Sequence, residues 1–140
     1  MLKGDTREHL RNIIAENDNI LFWLDAHWSG GDTYGATDEC PLVEELNIIF
    51  EYNKNHVVLI DDARLFLAPP PSPHNFKNWQ SLTDICKTLP DDWQMVVFED
   101  VIYLYPNVIN DEFKAYLQSK ITSASNKKTL RQKIKKNIGF

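Results

Sequence analysis

Two short apolar runs in this chain of 140 residues end in carboxylates. Ile20-Leu21-Phe22-Trp23-Leu24 leads into Asp25, with His27 two positions on, and His56-Val57-Val58-Leu59-Ile60 leads into Asp61-Asp62. In open α/β sheets, ligands bind outside the carboxyl ends of parallel strands. If the two runs are neighbouring strands about 4.8 Å apart, three carboxylates and an imidazole meet in one small volume. Ionised carboxylates that close repel one another unless a cation or a proton intervenes. A hard divalent ion such as Mg²⁺, which takes oxygen ligands and keeps several waters, resolves that conflict. On this reading Asp25, Asp61 and Asp62 are metal ligands, and His27 is a ligand or a general base. A more ordinary reading stands beside it. An Asp after a strand also caps a helix or makes a turn, His27 also packs under Trp28, and Arg64 is placed to pair with Asp61 or Asp62.

Other chemistry is weakly signalled. Gly30, Gly31 and Gly35 form neither a dinucleotide fingerprint nor a phosphate loop. Cys40 and Cys86 are far apart, in no C-x-x-C pattern and without a His at meaningful spacing, so a zinc site, a redox dithiol and a thiol nucleophile are disfavoured. His9, His56 and His74 stand at no interpretable spacing.

The elements that must position these residues follow from periodicity. Asp5, with Glu8 three residues on, caps a helix whose Leu10, Ile13 and Ile14 share one face and which ends at Asp18-Asn19. The Ile20–Leu24 run has the profile of a central strand buried on both faces. After a glycine-bearing loop, Pro41 starts a second helix with Leu42, Val43, Leu46, Ile49 and Phe50 at helical spacing, closing at 53–55. The His56–Ile60 run is a second such strand, parallel to the first. Pro69-Pro70-Pro71-Ser72-Pro73 is a stiff extended loop. Ser81 with Asp84 caps a third helix that points Leu82, Ile85, Cys86 and Leu89 inward. Trp93–Phe98 and Val101–Tyr105, separated by Glu99-Asp100, read as an antiparallel hairpin. The remainder is helical and increasingly basic. Strands joined through helices make an α/β fold with a right-handed crossover between the first two.

Composition sets the outer limits. Hydrophobic residues make up 43% and charged residues 25%, ordinary globular usage that argues against wholesale disorder. No apolar run approaches the roughly 20 residues of a membrane span, and two cysteines whose spacing signals no disulfide framework fit a reducing, cytoplasmic location. The net charge of −5 is divided: residues 1–110 carry −11 and residues 111–140 carry +6. The basic tail reads as a contact for an acidic partner or as a solvated terminal helix; nucleic acid is disfavoured because no aromatic residues are interleaved among the lysines.

Gly4-Asp5-Thr6-Arg7-Glu8, Leu21-Phe22-Trp23-Leu24-Asp25-Ala26-His27 and Val58-Leu59-Ile60-Asp61-Asp62 together resemble the second half of class I S-adenosylmethionine-dependent methyltransferases, in the style of the metal-dependent O-methyltransferases. The resemblance covers about residues 1–106. It implies a partial Rossmann-like sheet, parallel strands followed by a closing antiparallel hairpin, with helices on both faces. It implies a methyltransferase-like half domain over 1–108 with a basic helical tail over 109–140. It further implies that Asp5 contacts the adenine region of S-adenosylmethionine and that Asp25, Asp61 and Asp62 hold Mg²⁺ or another divalent cation. Where several relatives read Asp-Ala-Asp-Lys, this chain has Asp25-Ala26-His27-Trp28, which makes His27 the substitute for the basic lysine. The family's glycine-rich loop and ribose-binding acid have no counterpart in these residues. The function implied is methylation of a hydroxylated acceptor, a saccharide or small metabolite. Two other expectations are a noncatalytic module that completes its sheet with a partner chain or a second copy, and a phosphoryl-transfer enzyme, for which only Arg64 offers a phosphate-binding group.

Overall fold

The computed structural model describes residues 6–25, 39–52 and 54–138. The chain divides into two compact units, Met1–Asn107 and Val108–Phe140.

In the first unit, helix α1 (Thr6–Glu16) precedes strand β1 (Leu21–Leu24), followed by α2 (Leu42–Phe50), β2 (Val57–Ile60), the short helix α3 (Arg64–Leu67), α4 (Leu82–Thr88), β3 (Trp93–Phe98) and β4 (Val101–Pro106). The sheet order is β1-β2-β4-β3. β1 and β2 are parallel and in register from Leu21↔Val57 to Leu24↔Ile60. β4 runs antiparallel to both β2 and β3. A parallel pair needs a crossover connection, and α2 lies in it. The β3–β4 connection is the two-residue turn Glu99-Asp100, whose φ values of 48° and 65° are both left-handed. This is the backbone demanded by a tight hairpin turn that matches strand twist.

One face of the sheet makes the core. Phe22 and Leu24 of β1, Val58 and Ile60 of β2, and Ile102 and Leu104 of β4 pack in one cluster with Leu10 and Ile14 of α1, Leu42, Leu46 and Ile49 of α2, Phe66 of α3 and Ile85 of α4. The helical spacings read from the sequence select these residues, and each wholly buried aliphatic side chain contributes about 2 kcal/mol of transfer free energy. α4 begins with the capping box expected of Ser81 and Asp84. Those hydrogen bonds, first from the Ser81 hydroxyl and then from its backbone, hold the Asp84 carboxyl at about 2, below the usual carboxylate range.

Three expectations need correction. The Ile20–Leu24 run is not a central strand buried on both faces: among the described strands β1 is the sheet edge, its burial alternates, and Leu21 and Trp23 are 66% and 57% exposed. β2 alternates as well, with Val57 and Leu59 half-buried. Continuous apolarity signals two buried faces only when both are covered; on the face opposite Ile102 and Leu104, Val101 and Tyr105 of β4 are buried while Leu21 and Trp23 of β1 are exposed. Cys86 is exposed on α4 rather than inward.

A 3₁₀ turn, Asn107–Ile109, starts at the last residue of the first unit, and helix α5, Asn110–Ile138, belongs to the second. Asp111 and Glu112 occupy its first turn, where they favour the helix dipole. Its exposed Tyr116 has the Lys120 ammonium 5.2 Å from the ring centroid. No helix among the described residues is long and apolar enough to cross a membrane.

Candidate functional site at the carboxyl ends of β1 and β2

The in-register pairing of Leu24 with Ile60 makes Asp25 and Asp61 equivalent residues at adjacent strand ends. The ladder extends one step further, the Asp61 N–H donating to the Leu24 carbonyl at 3.0 Å. Asp25 is exposed, and Asp61 and Asp62 are half-buried. Asp62 leaves the strand in a left-handed conformation, φ 54°, a backbone state that Asp tolerates better than most residues. Its N–H donates to Asp61 Oδ1 at 2.8 Å, so one oxygen of Asp61 is used to hold the turn.

The sequence did not reveal the next contributor. The left-handed β3–β4 turn carries Asp100 to the end of β2, where its carbonyl accepts from Ala63 N–H at 2.8 Å and its Oδ1 accepts from Arg64 N–H at 2.9 Å. Arg64 Nη1 pairs with Asp62 Oδ1 at 2.8 Å and with Asp100 Oδ2. Arg64 therefore does pair with Asp62, as its position suggested, and bridges it to a carboxylate 36 positions later. The guanidinium is 60% exposed, so the pair is worth little as an isolated surface bridge. Its effect is geometric: it braces the β2 end against the hairpin turn.

The Arg64 guanidinium offsets the charge of Asp62, and no group of three or more His, Cys, Asp or Glu that could hold a metal stands among the described residues. Asp25 and Asp61 are brought to adjacent strand ends; Asp62 faces Arg64. His27 and Asp5 lie outside the described residues, as do Gly30, Gly31 and Gly35.

A second buried polar arrangement lies on the loops after the strands. Glu39, 8% exposed, accepts from the Asn75 N–H at 3.1 and 3.4 Å on its two oxygens. His74 Nδ1 is 3.4 Å from Glu39 Oε2, and its ring lies 4.7 Å from that of Trp79. At His74 the sequence shows no interpretable spacing and Glu39 is not singled out, because their partnership spans the whole of α2, β2 and α3.

Comparison with family models, with characterised proteins and with solved structures gives no match for this chain.

Proposed function

We propose that the chain is the acceptor-side part of an S-adenosylmethionine-dependent O-methyltransferase-like domain of Rossmann-like type. The observation that supports this reading is the parallel pair β1–β2, each strand ending in Asp, followed by an antiparallel hairpin that joins the same sheet. That is the order of parts the sequence resemblance implies. Of the three carboxylates it assigns to a cation, Asp25 and Asp61 fit, being oxygen donors on adjacent strand ends with solvent access. Asp62 fits less well, because Arg64 holds it.

A bound divalent ion supplies Lewis acidity that lowers an acceptor hydroxyl's pKa. The chain's own residues do the positioning. Asp25 and Asp61 present oxygens on one side of the site, and the Asp62–Arg64–Asp100 brace keeps the β2 end from fraying. The acceptor is a hydroxylated small molecule or saccharide. In this proposal His27 accepts the proton and Asp5 meets the adenine region. The absence of any C-x-x-C pattern at Cys40 and Cys86 fits a reducing, cytoplasmic setting.

Thermal unfolding tests the cation assignment. Millimolar Mg²⁺ or Mn²⁺ is expected to raise Tm by about 4 °C at saturation, and Asp61→Asn is expected to abolish the rise. Superimposable melting curves with and without metal would contradict it.

One observation favours a second reading, a noncatalytic module that completes its sheet with a partner chain. β1 is an edge strand with Leu21 and Trp23 exposed, and Leu21–Leu24 contains no lysine, proline or bulge to blunt it. The two readings are separable, since sheet completion requires no metal.

A further inference from the structure

A cavity of about 230 Å³ opens beside the proline segment that follows α3. Phe66 and Leu67 from α3, Pro69 and Pro70, and Phe76 and Trp79 from the loop ahead of α4 form most of its wall. That wall is supported from behind. Phe66 and Trp79 are buried, with ring centroids 6.1 Å apart. Trp79 is backed by His74 at 4.7 Å, and His74 lies against the buried Glu39. The adjoining end is fixed by the capping box of α4. At the mouth, Leu67 and Phe76 are 57% and 62% exposed, two large apolar side chains facing water.

The chemistry of the wall selects its ligand. Aromatic and proline rings offer flat apolar faces, and no Lys, Arg, Asp or Glu lines the cavity. Its polar lining side chains are Ser81, whose hydroxyl is engaged with Asp84 at 2.7 Å, and Gln80, whose Oε1 is buried without a hydrogen-bond partner among the described residues and accepts from at most one or two ligand N–H or O–H groups. A saccharide carries several hydroxyls and would find the Gln80 oxygen for one or two of them, leaving the rest without partners, each at a desolvation cost. A charged ring would find no counter-ion. The volume also lies below the roughly 300 to 1,000 Å³ of pockets for drug-sized ligands.

We propose that this cavity binds a small, neutral, hydrocarbon-rich ring ligand, one or two rings in size, seated on Phe66 and Trp79 and flanked by Leu67 and Phe76. The site needs neither a cation nor S-adenosylmethionine, so it stands or falls separately from methyl transfer.

Titration of the full chain with indole and with methyl α-glucopyranoside, read by amide and ring NMR signals of Leu67, Phe76, Trp79 and Gln80, tests it. Indole is expected to give saturable shifts at those residues with Kd of about 1 mM, while the glucoside leaves them unmoved at the same concentration. Phe76→Ala, at an exposed position that spares the core, is expected to weaken indole about tenfold. Ala68→Phe, which fills the mouth from an exposed extended residue, is expected to remove the saturable shift. Glucoside binding as tight as indole, indole shifts that never saturate, or shifts that persist in Ala68→Phe would overturn the assignment.

Discussion

His56 is wholly buried, accepts the Ile20 N–H on Nδ1 at 3.1 Å and lies edge-on to Phe22 at 5.4 Å. Its Nε2 has no hydrogen-bond partner among the described residues. Burial, reinforced by the Lys54 ammonium and only partly opposed by Asp18, pushes its pKa below 6.5. The folded state therefore holds a neutral imidazole, whereas the unfolded chain protonates near pH 6.5. Its contribution to stability is fully present above that pH. As pH falls below 6.5, the unfolded state binds the proton first and stability is lost, until the folded pKa is passed. The slope from this single group is at most about 1.4 kcal/mol per pH unit. Denaturant unfolding between pH 7.5 and 5 measures it: His56→Gln, which does not titrate, is expected to flatten the profile. An unchanged slope would assign the acid sensitivity to other groups.

At the scale of elements, Lys54 shows how much support comes from outside a helix. Its ammonium donates to the carbonyls of Ile14, Ala15 and Asn17 at 2.7, 3.3 and 3.2 Å and pairs with Asp18 at 3.1 Å. These are the orphan carbonyls at the end of α1 and the residues just past it, where a cation also favours the helix dipole. Arg7–Glu44 and Arg11–Glu51 tie α1 to α2 on the outside. Lys54→Met removes the cap but keeps most of the stem, and is expected to cost about 1 to 3 kcal/mol, seen as a lower urea midpoint with unchanged m. A loss below the error of the measurement would mean that water replaces the ammonium fully. The same elements mark what could be read from sequence. α1, α2, α4 and the hairpin were legible because the 3.6-residue spacing of Leu10 and Ile14, the Pro41 start, the Ser81–Asp84 box and the two-residue Glu99-Asp100 turn are all local signals. Lys54, Asp100 and the Glu39–His74 pair were not, because each acts on residues 35 to 40 positions away and nothing in the local pattern names the partner. The burial of β1 was misread for a related reason: a run of five apolar residues records what a strand can tolerate on each face, not what covers it.

For the whole molecule, the strand order and the acidic strand ends set the expectations. Among the described strands β1 is an edge, and with Leu21 and Trp23 exposed it is a template for pairing with another strand. Sedimentation at micromolar concentration is expected to show self-association that Trp23→Lys suppresses; a wild-type chain that sediments as a monomer throughout would remove the basis for sheet completion between copies. The acidic body and basic tail, −11 over residues 1–110 against +6 over residues 111–140, predict that any association involving the tail weakens with salt. Paramagnetic mapping with Mn²⁺ tests whether the carboxyl ends of β1 and β2 hold a cation. Substoichiometric Mn²⁺ added to the ¹⁵N-labelled chain is predicted to broaden the amide signals of Leu24, Asp25, Ile60 and Asp61 first, with Asp61→Asn protecting them. Broadening that begins elsewhere, or that leaves these four amides sharp, would contradict the assignment of Asp25 and Asp61 as a cation site.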